Sequence, residues 1–124
     1  MKNVIATTEA PGAIGPYSQA IDTGAFVYTS GQLPINPADG TMPADITAQT
    51  RQSLANVEAI LRQAGLTMDN VVKTNVYLAD MADFAAMNTV YQEFFSAPYP
   101  ARSAVAVRTL PKNALVEIEV VAAR

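Results

Sequence analysis

The 124-residue sequence predicts an α+β fold, a mixed sheet in the order ββαβαββ with two helices packed on one face. Three observations carry the expectation. Period-two apolar alternation occurs near both ends of the chain, two stretches between them carry apolar residues at helical spacing, and strand-helix-strand passages link the two patterns. Such passages favour some parallel pairing and the terminal runs favour antiparallel pairing, so the sheet should be mixed.

The first pair of strands is read from Ser18 to Asp22 and Ala25 to Ser30, on either side of a Thr23-Gly24 turn. Pro34, Pro37, Pro43 and the Asp39-Gly40 pair then hold Leu33 to Pro43 as a loop. The first helix follows, with Asp45 as N-cap, an apolar face of Ile46, Leu54, Val57, Ile60, Leu61 and Ala64, and Gly65 as a left-handed terminator. Val71 to Leu78 is a strand with Val72, Thr74, Val76 and Leu78 on one face and Lys73, Asn75 and Tyr77 on the other. Asp80 caps a second helix whose stripe is Phe84, Met87, Tyr91, Phe94 and Phe95, closed by Ser96, Pro98 and Pro100.

The final two runs are read as a hairpin around Leu110 to Ala114. Val116, Ile118 and Val120 face the core and Glu117 and Glu119 face away, with Val105 and Val107 inward and Arg102 and Ala104 outward. That register brings Arg102 beside the two glutamates. Helices on one face leave the other uncovered, carrying Ala104, Ala106, Val121 and either Phe26, Tyr28 and Ser30 or their neighbours, so a closed oligomer is expected over it.

Composition narrows the chemistry. Half of the residues are hydrophobic, which suits a single domain over 1–124. There is no cysteine and no histidine, which removes thiol nucleophiles, thiolate metal sites and imidazole-based triads. A net charge of −3 with eight scattered Lys and Arg residues argues against a nucleic-acid face. No apolar run is long enough for a signal peptide or membrane span, so a soluble cytoplasmic protein without membrane association is expected.

Among candidate residues, Arg102 can hold a carboxylate bidentately, or form an ordinary surface ion pair. Glu117 or Glu119 can orient or deprotonate water if desolvation raises the carboxyl pKa more than Arg102 lowers it. Tyr17, Ser30 and Gly31 offer two hydroxyls and a close-approach amide, although Ser and Gly at strand ends are commonly structural. Asp80 and Asp83 read as helix capping, not as a metal pair. No phosphate-loop or dinucleotide fingerprint is present.

Gly15-Pro16-Tyr17-Ser18-Gln19, Thr29-Ser30-Gly31-Gln32, Asn56-Val57, Val72-Lys73-Thr74, Pro100-Ala101-Arg102-Ser103 and Glu117-Ile118-Glu119 together resemble the RidA (YjgF) family of enamine and imine deaminases, over essentially the whole chain. The resemblance implies a chorismate-mutase-like fold, a homotrimer with three inter-subunit clefts, and cofactor-free hydrolysis of 2-imino and 2-enamino acids released by pyridoxal-phosphate dehydratases. By the same resemblance Arg102 would grip the substrate carboxylate and Glu117 would position the attacking water or shuttle its proton. Tyr17, Ser30, Gly31, Asn88 and Ala104 would line the cleft. Ala104 stands where many members carry cysteine, and the Ser96 to Tyr99 connection looks shorter than in familiar members, which bears on the cleft rim. A competing reading is a regulatory module that captures 2-keto acids without turnover, for which Glu117 is dispensable. A holdase-like or RNA-directed activity, described for relatives, is disfavoured by the dispersed basic residues.

Overall fold

The computed structural model describes residues 1–124 and contains six strands and two α-helices. In chain order these are β1 (Asn3–Ile5), β2 (Ala20–Asp22), β3 (Phe26–Thr29), α1 (Ile46–Gln63), β4 (Val71–Leu78), α2 (Phe84–Phe94), β5 (Ala101–Ala106) and β6 (Val116–Ala123). The expected order is present with one strand more. Asn3–Ile5 is too short to show a pattern of its own and is a strand because it pairs antiparallel with β2.

The helix signals act as anticipated. Asp45 accepts from the Ala48 amide at 2.8 Å at the start of α1, satisfying one of the amides that the first turn leaves without a partner. At the other end Gly65 adopts φ 79°, and the Leu66 and Gly65 amides return to the Leu61 and Arg62 carbonyls. Asp80 caps a short 3-10 turn, Met81–Asp83, that runs directly into α2.

The sheet is mixed, in the order β1-β2-β3-β6-β4-β5. Here the structure corrects the expected C-terminal hairpin. β5 pairs parallel with β4, as a strand-helix-strand crossover through α2 requires, and β6 inserts between β3 and β4, antiparallel to both. β5 and β6 are therefore two strands apart.

Both helices cover one face. Its core contains Leu54, Val57, Ile60 and Leu61 of α1, Met87 and Tyr91 of α2, and Val27, Val76, Leu78, Val116, Ile118 and Val120 of the sheet. Two face assignments change. A bulge between Val71 and Lys73 turns Val71 into the core and leaves Val72 44% exposed. On β5, Arg102 and Ala104 pair with Thr74 and Val76 on the helix side, while Val105 is 47% exposed on the other. The open face, carrying Phe26, Tyr28, Asn75, Tyr77, Val105, Glu117, Glu119 and Val121, is thus apolar at its margins and polar at its centre.

Candidate active site

Arg102 sits on the second residue of β5, beneath α2. Its guanidinium lies 5.3 Å from the Phe84 ring centroid and 4.8 Å from that of Tyr91, and it donates to Asn88 Oδ1 at 2.7 Å. Two successive turns of α2 thus supply a platform, an anchor and, through Phe84, a second ring. The Tyr91 hydroxyl bonds the buried Thr74 hydroxyl at 2.8 Å, which fixes the ring, and burial raises its phenol above the ordinary range. The chain's ion pairs are Arg51–Glu93, Arg62–Glu9 and Arg124–Asp22, so Arg102 has no carboxylate partner. A cleft of about 420 Å³ opens over it, lined by Asn88, Tyr91, Gln92, Tyr99 and Pro100. A half-buried cation bonded only to a neutral amide oxygen keeps its charge available to an anion.

Glu117 lies on the opposite face of the sheet. Burial first, and the neighbouring Glu119 charge second, push its carboxyl above the usual carboxylate range, and no donor bonds to it. The β3–α1 loop passes directly over it. The Gln32 amide donates to the Ile118 carbonyl at 2.8 Å, which brings Gly31 so close that a Cβ there would stand 2.6 Å from Glu117 Oε1. With the Glu117 carboxylate where it stands, only glycine fits at 31. Buried polar residues of α1 hold the loop, with Ser53 donating to the Gln32 carbonyl and Asn56 to those of Leu33 and Ile35.

Tyr17 shares a small cleft with Gly31, Ile14 and Lys112. The segment bearing it is fixed by the buried Gln19 side chain, which accepts from the Thr7 amide and donates to the Thr7, Ala10 and Pro11 carbonyls. Ser30 spends its hydroxyl on the Ser18 carbonyl at 2.6 Å, so its first role is to tie that segment to β3. Ala104 packs against the core beneath α2 and does not lie on the open face.

The expected residues therefore fall into two groups. Arg102 and Asn88 form one on the helix side of the sheet edge, and Glu117, Gly31, Ser30 and Tyr17 form the other around the open face. The expectation that Arg102 and the glutamates share one patch of a single chain is overturned, because β4 separates the strands and the side chains leave opposite faces. Phe84 and Tyr91 were legible only as an apolar stripe, and their part in holding the guanidinium emerges from the packing of α2 on β5. No cluster of three acidic side chains could hold a metal ion, and no helix is long and apolar enough to cross a membrane.

Comparison with known proteins agrees with this fold at full length. The chain is 54% identical over 128 residues to a RutC family protein of Haemophilus influenzae, covering 100% of this chain and 98% of the relative. It is 51% identical over 127 residues to the 2-iminobutanoate/2-iminopropanoate deaminase of Escherichia coli, covering 100% and 99%. The crystal structure of Escherichia coli TdcF with bound serine superposes with a TM-score of 0.96 at 49% identity, covering 99% of each chain. With the Endoribonuclease L-PSP family model matched over residues 7–124, the chain belongs to that family, the one that includes YjgF and RidA.

Proposed function

We propose that this protein is a 2-iminobutanoate/2-iminopropanoate deaminase that works as a homotrimer, with Arg102 of one copy and Glu117 of the next at each cleft. The observation that carries this reading is the guanidinium without a carboxylate partner, held ready between two rings and an amide. Its complement is a carboxylate without a donor on the other face of the sheet. A substrate of three or four carbons cannot touch both within one chain. A second copy laid on the open face brings them together and covers Phe26, Tyr28 and Val105.

The chemistry needs little more than placement. The imine carboxylate docks on Arg102, and water bound at Glu117 adds to the C2=N carbon, one of its protons passing through the glutamate to the nitrogen to give a carbinolamine. Glu117 then takes the hydroxyl proton and delivers it to the amino nitrogen as the C–N bond breaks, so that ammonia leaves and a 2-keto acid is left. Raising the Glu117 pKa makes it a stronger base, at the cost of losing the basic form at a higher pH than an ordinary glutamate would. Activity should accordingly fall as pH drops through that raised value, while Arg102 keeps binding. Serine bound to TdcF, an amino acid with the same carboxylate at C2, supports the substrate class.

The imines are products of pyridoxal-phosphate dehydratases, and we place the protein in the cytoplasm beside them. The family description also names an endoribonuclease. A net charge of −3, with Arg51, Arg62 and Arg124 engaged by carboxylates, offers no basic face for a phosphate backbone. The test is 2-keto acid release in a threonine or serine dehydratase reaction. Added protein should shorten the lifetime of the imine, and Arg102→Ala should abolish the effect while remaining folded. Binding of 2-keto acids with an unchanged imine lifetime would instead establish a non-catalytic carboxylate-binding module.

A further inference from the structure

The two glutamates of β6 leave the same sheet face two residues apart, yet their surroundings differ. Glu119 Oε1 accepts two hydrogen bonds from β4, from the Tyr77 hydroxyl at 2.8 Å and the Asn75 amide at 3.1 Å. Asn75 is its direct cross-strand partner, but Tyr77 is the partner of Glu117. The Tyr77 hydroxyl nevertheless runs diagonally to Glu119, and the carboxylate directly across from it receives nothing. One carboxylate is clamped and the other stands free over Gly31.

We propose that Glu119 is a positioning residue for the reaction: clamped by Tyr77 and Asn75, it holds a fixed negative charge on the same sheet face as Glu117, two residues along β6. The inference rests on the catalytic reading of Glu117 given above. Burial and the Glu119 charge act on Glu117 in the same direction, both favouring retention of a proton. The bond to Glu119 in turn raises the Tyr77 phenol above its ordinary range, so it remains a donor throughout the working pH. The Arg102 that the next copy brings to the cleft opposes burial and the Glu119 charge alike, and within one chain the other charged groups around this face are two lysines. Lys73 on β4 turns its Nζ to the Ser103 hydroxyl at 3.5 Å, and Lys112 lies in the cleft with Tyr17 and Gly31. The helices pack on the opposite face, and the Gly31–Gln32 segment over Glu117 carries no titratable side chain. Glu119 is thus a negative charge that adds to burial in raising the pKa of the Glu117 carboxyl.

Glu119→Gln keeps an oxygen for Tyr77 and Asn75 while deleting the charge. The acid limb of its kcat profile should move down by about 0.5–1 pH unit, and its plateau kcat should fall about two- to fivefold through weaker basicity. KM should hold, because the carboxylate still docks on Arg102. A carbon-13 NMR titration of the Glu117 carboxyl in the intact protein should shift by the same amount as the acid limb. Tyr77→Phe, which loosens the clamp but keeps the charge, should move both readouts the same way by less, and it decides the matter alone if Glu119→Gln does not fold. An unchanged titration, or a titration that moves while the rate profile does not, overturns the positioning role and leaves Glu117 as the base. Parental activity in Glu117→Gln overturns the catalytic reading itself, and this inference with it.

Discussion

Arg102 shows how one side chain is kept without an ion-pair partner. Most arginines in this chain end on a carboxylate, whereas this one is given a neutral acceptor and two ring faces, so its full charge remains for a ligand. A lysine would retain the charge but not the planar fork or the stacking. Arg102→Lys should therefore raise KM by roughly 10- to 100-fold, matching about 1.5–3 kcal/mol for a charge-assisted contact, with kcat within a few-fold and an unchanged melting temperature. Steady-state kinetics beside a thermal melt would check this. The arginine itself was legible in the Pro100 to Ser103 stretch. Its platform was not, because periodicity shows that Phe84 and Tyr91 lie on one side of a helix but not whether a ring fills the core or carries a cation.

At the scale of elements, the β3–α1 loop and β6 act as a unit. Gly31→Ala would place a methyl group 2.6 Å from Glu117 Oε1 and 2.8 Å from its Cδ, and the flexible carboxylate is what must give way. The backbone bridge between Gln32 and Ile118 can survive that shift. The expected outcome is a roughly tenfold loss of kcat from a displaced base, with little change in stability, measurable by turnover and by calorimetry on the same sample. Helix ends were legible because Asp45 and Gly65 act locally. Strand neighbours were not, since alternation specifies which face a residue takes and leaves open which strand lies beside it. The Arg102 to Val107 run was especially weak in this respect, as small apolar residues occupy both of its faces and either parity reads acceptably. Only the crossover through α2, which commits β5 to β4, resolves it.

At the scale of the whole molecule, the separation of Arg102 and Glu117 yields a complementation test. Arg102→Ala and Glu117→Gln proteins should each be inactive. Unfolded together in equal amounts and reassembled, they should recover roughly a quarter of parental activity, since in a closed ring a random pairing of neighbours unites an intact arginine with an intact glutamate that often. Recovery of nothing would place both residues in one chain's site. The sheet between them has one more effect. Had the fold set the guanidinium and the unpaired carboxylate side by side, they would have closed on each other and been spent as an internal ion pair; a layer of peptide groups insulates them, so each stays chemically unsatisfied until another copy supplies its opposite.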